Sequence, residues 1–210
     1  MTKAIHNTMI YNTNRFGLKF CKKHMKYIDK YLKESAEVAK MQIELKEEFL
    51  VIAEAIREKV ENGACVFFCG NGGSAADSQH LAAELVGRFK KNRRALKSIA
   101  LTTDTSIITS IGNDYSFEDI FSRQLEALAS DNDVLIGIST SGESQNILNA
   151  IEFANSNNML TVGFTNKNQN SLSKLTKYSL NIPSEETGIV QQGHITFGQL
   201  LCFYLEENIA

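Results

Sequence analysis

Short apolar runs alternate with longer helical patterns from residue 64 to the C-terminus, and this alternation limits the possible folds more than any other feature. Each run is long enough for a buried strand and is followed by turn residues and then by helical spacing. Such an order is typical of a doubly wound sheet, whose right-handed crossovers make neighbouring strands parallel. We predict an α/β fold with three layers and a mostly parallel five-stranded sheet, with strands at residues 64–69, 98–101, 134–138, 160–164 and 178–182.

The segments around these strands predict helices near residues 74–89, 105–111, 116–128, 144–155 and 188–207. Residues 16–62 lack proline and space their apolar side chains as helices do, which predicts two or three more helices. Their apolar positions, among them Ile28, Leu32, Met41 and Leu50, exceed what one face of a sheet needs, so we expect packing in an oligomer. The predicted organisation is a flexible arm at 1–24, oligomer-packing helices at 25–62 and one α/β domain at 63–210.

The composition excludes several classes of protein. A chain of 210 residues with 43% hydrophobic residues can bury one sizeable core. The net charge of −2 and the lack of a span-length apolar segment predict neither nucleic acid nor membrane as a direct partner. We interpret the basic cluster at residues 90–94 as a solvated turn. The four cysteines are dispersed and no secretion signal is visible, which favours reduced thiols and a cytoplasmic location.

A glycine-rich turn joins the first predicted strand to the helix that follows it. The turn contains three glycines, Gly70, Gly72 and Gly73. These glycines permit positive φ, and Ser74 or Asp77 is expected to cap the helix, leaving backbone N–H groups free for an anion. The turn lacks the lysine of a P-loop and the spacing of a dinucleotide site, so neither ATP nor NAD is expected.

The helix after this turn carries His80 and Glu84, one helical turn apart and on the same face. Next to a glycine turn, these two side chains favour a small polar pocket that binds a sugar phosphate and holds a metal. An ordinary histidine–carboxylate pair at the surface or at an interface remains the alternative.

A second polar loop follows the predicted strand at 134–138 and precedes an amphipathic helix. Its hydroxyl groups belong to Ser139, Thr140, Ser141 and Ser144. Gly142 lets the backbone approach a ligand closely, and the start of the next helix adds amide donors with a partial positive charge. The loop therefore fits a phosphate monoester; a turn that only caps a helix is the alternative.

Polar side chains in two other segments are also candidates. Gln191 and Gln199 lie two turns apart in an otherwise apolar helix and roughly on one face, whereas His194 points away and is expected to be structural. Asn113 and Asp114 come after Gly112, where we expect a short helix to end in a glycine-assisted turn; they could bind sugar hydroxyls, or they could form a simple turn.

The motifs in these stretches resemble those of the phosphoheptose isomerases, which have the sugar isomerase (SIS) fold. The matching stretches extend from about Met25 to the C-terminus and include 69–84, 87–89, 101–106, 111–115, 121–124 and 137–144. The resemblance implies that residues 63–210 form an SIS sugar-phosphate domain within a homotetramer. It also implies isomerisation of sedoheptulose 7-phosphate to D-glycero-D-manno-heptose 7-phosphate through an enediol, in bacterial heptose biosynthesis.

The resemblance assigns roles to individual residues. It implies substrate contacts at Asn71, Gly72, Gly73, Glu84, Asn113, Asp114 and Gln191, and a phosphate cradle at Ser139, Thr140, Ser141 and Ser144. Glu84 is implied as the catalytic carboxylate. One zinc ion per subunit is implied, with ligands at His80, Glu84, Gln191 and Gln199.

Gln199 is where this chain departs from the family pattern, because active members carry a histidine at that position, to which the resemblance also assigns a catalytic role. An amide offers a metal only a weak neutral oxygen and cannot exchange a proton near neutral pH. Two alternatives therefore stand beside the isomerase: a catalytically impaired tetramer that binds the replication initiator DnaA, and an isomerase for another sugar phosphate. The intact glycine and serine loops favour the heptose phosphate isomerase.

Overall fold

The computed structural model describes the backbone of residues 22–209 and the side chains from Met25 onward. The predicted arm at 1–24 lies outside this part except for its last three residues, which begin helix α1 (Lys22–Met41). Contacts divide the chain into two compact units between Glu37 and Val38. A short 3-10 turn, Gln42–Leu45, leads from α1 to α2 (Lys46–Glu61). No helix in the described part is long and apolar enough to cross a bilayer.

The second unit contains a sheet of five strands in the order β2-β1-β3-β4-β5. The strands are β1 (Val66–Gly70), β2 (Ser98–Ala100), β3 (Val134–Ile138), β4 (Leu160–Asn166) and β5 (Tyr178–Ile182). Every pairing is parallel, so the predicted α/β fold with a five-stranded sheet is confirmed. β1 and β3 are buried along their whole length, which explains why their sequences are continuous apolar runs rather than alternating ones.

Six helices follow the strands: α3 (Gly73–Val86), α4 (Thr105–Asp114), α5 (Ser122–Leu128), α6 (Gln145–Ser156), α7 (Ser171–Leu175) and α8 (Thr187–Asn208). α4 extends past its predicted end and includes Gly112, so the expected glycine turn there was wrong. The helix predicted at 116–128 is a 3-10 turn at Phe117–Asp119 followed by α5. α7 was not predicted, since a five-residue helix is too short to show a helical period.

His194 has the structural role expected from the sequence. Its side chain is fully buried in α8, and Nε2 donates a hydrogen bond to the Thr165 carbonyl at 3.1 Å. The other ring nitrogen, Nδ1, is buried and has no partner among the described residues. Burial lowers the pKa of His194 to about 4, because the charged ring would lose its hydration.

Acidification is expected to destabilise the fold through His194. Between pH 6.5 and 5 the unfolded chain binds a proton at this histidine that the folded chain excludes, so stability falls by about 1.6 kcal/mol in all, with a slope that approaches about 1.4 kcal/mol per pH unit. Urea unfolding of the wild type and of His194→Gln at both pH values measures this contribution. The variant should show a flatter dependence on pH; the same slope in both proteins would contradict the assignment.

Candidate active site

The glycine and serine loops begin side by side at one edge of the sheet. β1 and β3 are neighbours, and their last residues, Gly70 and Ile138, are paired in the parallel register. Ligands of doubly wound sheets bind beyond the carboxyl ends of the strands. Residues 71–73 and 139–144, which are far apart in the sequence, therefore share one candidate site.

Each glycine of the first loop allows a different feature of the structure. Of the three, only Gly72 has a positive φ, of 55°, so the turn uses the conformational freedom that the sequence permits at one of these glycines. A Cβ at Gly70 would lie 2.6 Å from the Ser74 carbonyl oxygen, and one at Gly73 would lie 2.4 Å from the Gln191 amide. Gly70 thus permits the tight turn, and Gly73 allows α8 to approach.

Neither predicted side chain caps α3. Its N-cap residue is Gly72, and no side chain bonds to the first amide groups of the helix from that position. Ser74 lies inside the first turn, where its carbonyl accepts a hydrogen bond from the Ser78 hydroxyl at 2.8 Å. The start of α3 is therefore an N-terminus without a side-chain cap, at the edge of the sheet where the serine loop also lies.

The serine loop is a compact group of hydroxyls. Ser139 Oγ lies 3.2 Å from Ser144 Oγ and 3.4 Å from Ser141 Oγ, and it accepts a hydrogen bond from the Gly142 amide at 3.0 Å. Thr140 is half-buried between Ser139 and Ser141. Ser144 is the N-cap residue of α6, and its side chain does not hydrogen-bond to the first amides of that helix. The loop hydroxyls therefore lie at the positive end of a helix dipole. This arrangement suits a phosphate group.

A reciprocal pair of amides links the two loops. Asn71 Nδ2 donates to Asn146 Oδ1, and Asn146 Nδ2 donates to Asn71 Oδ1, both at 2.9 Å. Asn146 is buried at the start of α6 and was not singled out from the sequence. A usable signal was present: Asn146 lies one turn before the fully buried Ala150, so it is a polar residue on the core face of the helix.

Helix α8 lies against α3 because small and apolar residues allow close contact. A Cβ at Gly198 would lie 2.5 Å from Leu81 Cδ1. This contact brings Gln199 to the exposed face of α3, where its Nε2 is 3.4 Å from His80 Nε2. His80 Nε2 is also 3.3 Å from Glu84 Oε1, and the Glu84 side chain is 25% exposed. These three predicted residues form one solvent-accessible cluster.

Gln191 lies at the other end of the same helix contact. Its amide is next to Gly73 and hydrogen-bonds to the Asp77 carboxylate. Burial raises the pKa of Asp77, although the Gln191 hydrogen bond and nearby His80 oppose that rise. Asp77 Oδ2 is buried without a hydrogen-bond partner in the described part of the chain. Asp77 is therefore a buried residue of the site rather than the predicted helix cap.

Asn113 and Asp114 are not joined to the rest of the site. Both are exposed in the last turn of α4, and Asn113 Nδ2 donates to Asp114 Oδ1 at 2.7 Å. Within residues 25–209, no hydrogen bond connects either side chain to the two loops or to His80. Their predicted contact with substrate remains a prediction.

The basic cluster supports the end of α3. Arg93 donates to the carbonyl oxygens of Glu84 at 2.8 Å, Leu85 at 2.9 Å and Gly87 at 3.1 Å. The Arg93 side chain is only 7% exposed and lies beside the buried Glu206 carboxylate. Arg93 thus satisfies terminal carbonyls of the helix that carries Glu84, a role that the interpretation as a solvated turn missed.

The cluster on α3 and α8 fits a divalent cation. His80 Nε2 cannot donate to Glu84 and at the same time accept from the Gln199 amide. A cation among the three residues would suit all of them, provided that the Gln199 amide rotates by half a turn so that its oxygen faces the ion. Two ligands on a tetrahedral zinc are about 3.4 Å apart, close to the spacing seen here. No three His, Cys, Asp or Glu side chains converge in the described residues. The remaining ligands would therefore have to be Gln191 and Gln199, whose amide oxygens bind metals weakly because they are neutral.

Comparison with known proteins identifies the family. Residues 30–166 match the SIS domain family. A phosphoheptose isomerase from Aquifex aeolicus is 48% identical over 183 residues, 87% of this chain and 96% of that protein. One from Campylobacter jejuni is 47% identical, covering 86% of this chain and 97% of that protein.

Solved structures agree with the sequence matches. The structure of a phosphoheptose isomerase from Francisella tularensis has a TM-score of 0.85 at 31% identity, covering 88% of this chain and 99% of that one. The enzyme from Neisseria gonorrhoeae has a TM-score of 0.81 at 35% identity, covering 87% of this chain and 98% of that one. The resemblance seen in the motifs is thus confirmed: the chain belongs to the phosphoheptose isomerase family of SIS domain proteins.

Proposed function

We propose that this protein isomerises sedoheptulose 7-phosphate to D-glycero-D-manno-heptose 7-phosphate in bacterial heptose biosynthesis. One observation carries the proposal: in a chain of this family, a hydroxyl-lined loop follows β3, and the helix that follows the neighbouring strand β1 carries the accessible Glu84 carboxylate. The substrate carries a phosphate at one end and the reacting carbons at the other. The serine loop and Glu84 can serve these two ends separately.

Glu84 performs the proton transfer in this proposal. Its carboxylate removes a proton from C1 of the ketose, and the C2 carbonyl oxygen takes a proton from solvent water to complete the enediol. The Glu84 carboxyl then returns its proton to C2 as the C1 hydroxyl loses one to water, which leaves the aldehyde. The Gln199 amide can hydrogen-bond a substrate oxygen but cannot exchange a proton, so Glu84 handles both carbon-bound protons.

A zinc ion, one per subunit, is part of the same proposal. His80 and Glu84 would be its stronger ligands, with amide oxygens of Gln191 and Gln199 completing the set. When bound, zinc would polarise the carbonyl group of the sugar as a Lewis acid. Without the ion, His80 Nε2 is 3.3 Å from Glu84 Oε1, a spacing that lets both atoms reach one metal.

We also propose a cytoplasmic homotetramer. Apolar side chains on α1 and α2 support it, since Ile28, Leu32, Met41 and Leu50 are 47%, 61%, 52% and 50% exposed in the single chain. Large exposed apolar side chains on helices are typical of subunit interfaces. The three described cysteines are free thiols, as expected in a reducing compartment.

Gln199 also favours a second candidate function, a catalytically impaired tetramer that binds DnaA. The two functions make different predictions. The isomerase should convert sedoheptulose 7-phosphate to an aldose in at least one of two conditions, with added zinc and without it. The impaired tetramer should capture DnaA in a pulldown that survives Glu84→Gln. Purified protein that gives no aldose under either condition would overturn the isomerase proposal.

Gln199→His is expected to raise the isomerisation rate. The new imidazole would lie next to His80, where it adds both a proton-transfer group and a strong metal ligand, and a positioned acid contributes about 10²-fold or more. Initial rates of aldose formation with and without zinc measure the effect. Thr196→His, at an exposed position of the same helix, is the control. An unchanged rate in Gln199→His would show that the glutamine does not limit catalysis.

A further inference from the structure

The reciprocal amide pair Asn71–Asn146 connects the two halves of the site. Asn71 follows the last residue of β1, and Asn146 lies in the first turn of α6, 75 residues later. Among the described residues, their two 2.9 Å bonds are the only hydrogen bonds between residues 71–84 and residues 139–146. Sheet pairing between β1 and β3 ends at Gly70 and Ile138, so the amide pair continues the connection beyond the strands.

Burial makes this pair a constraint on geometry. Asn146 is 3% exposed and Asn71 is half-buried, so an amide that lost its partner would have little access to water. A buried amide without a hydrogen-bond partner is destabilising, which favours the paired arrangement over others. The Asn71 side chain uses its oxygen and one N–H in the pair.

We propose that Asn146 is a positioning residue for the isomerase: by holding Asn71, it sets the separation between the phosphate loop and the end of the site that carries Glu84. This inference rests on the proposed function, because it assumes that one sugar phosphate occupies both halves. A displacement of about 1 Å between a bound substrate and its catalytic group can cost about 10²-fold in rate. The phosphate loop itself keeps its hydroxyls and its helix N-terminus without the pair.

The test compares kcat with phosphate affinity in Asn146→Ala. We expect kcat for sedoheptulose 7-phosphate to fall by about tenfold or more, while the inhibition constant of inorganic phosphate stays within about twofold. Asn71→Ala should give a similar loss, and the double variant should lose little more than either single variant, since both remove one interaction. Asn149→Ala, one turn further along α6, is the control; that amide bonds the Glu118 carbonyl instead.

Two results would overturn the inference: additive losses in the double variant, or a phosphate inhibition constant that weakens in step with kcat. If Asn146→Ala does not fold, Asn71→Ala removes the pair from its more exposed side and is judged by the same criteria. Calorimetry separates this inference from the proposed function, because it needs no turnover. The affinity for sedoheptulose 7-phosphate relative to inorganic phosphate should fall in the variants; an unchanged ratio would also overturn the inference.

Discussion

Glu84→Gln is expected to lower the isomerisation rate by about 10²–10⁴-fold, the usual contribution of a positioned general base. Glutamine keeps the shape of glutamate and can still contact His80, but it cannot take a proton from C1 of the sugar. Glu84 suits this task because its side chain is 25% exposed and its backbone carbonyl is held by Arg93 at 2.8 Å. Aldose formation under saturating substrate measures kcat directly.

The Glu84→Gln experiment needs two controls. Binding of inorganic phosphate should persist in the variant, since the serine loop contains none of the altered atoms. Glu126→Gln removes an exposed carboxylate that pairs with Arg123 on α5, and it should leave kcat unchanged. A Glu84→Gln protein that retains the wild-type rate would exclude Glu84 as the base, whether or not zinc is present.

Gly142→Ala is expected to lower the free energy of unfolding by about 2–5 kcal/mol, from strain and from overlap together. Gly142 has a φ of 72°, in the left-handed region, and a Cβ there would lie 2.1 Å from Asn170 Cγ. Asn170 cannot move easily, because its side chain caps α7 and donates to Thr165 Oγ1 at 2.8 Å. Urea unfolding monitored by circular dichroism measures the loss.

Gly112→Ala is the matched control for Gly142→Ala. Gly112 lies in α4 without a positive φ, and a Cβ there would meet no atom within 4 Å. This substitution should be neutral or should stabilise the protein by up to about 1 kcal/mol, as alanine favours helices over glycine. Equal destabilisation by the two substitutions would show that neither the φ nor Asn170 is responsible.

The strands were predictable because each is a short segment of the sequence with apolar residues, bounded by turn residues. The bounds of β3 and β5 agree with the prediction, and each is an uninterrupted segment between turn residues. Helix ends were less predictable. Gly112 suggested a stop in α4, yet the helix continues through Asn113 and Asp114, since a single glycine costs only about 1 kcal/mol there. α7 begins with a capping box between Asn170 and Ser173, and its five residues are too few to show a helical period in the sequence.

The candidate site also has a part that was predictable from the sequence and a part that was not. Local sequence determined what lies within one loop or one helix face: the serine hydroxyls between residues 139 and 144, the left-handed turn at Gly72, and the pairing of His80 with Glu84 one turn later. These follow from backbone stereochemistry and helical period, which act over a few residues. The same local patterns sufficed to indicate the family.

Only the tertiary structure decided which distant groups meet. Gln199 reaches His80 across 119 residues because Gly198 lets α8 approach Leu81, and Asn146 finds Asn71 because β1 and β3 are neighbours in the sheet. The helical period predicts which residues share a face of a helix, but packing of the whole core determines which element that face contacts. The sequence alone therefore determined the parts of this sugar-phosphate site, and packing determined their spacing.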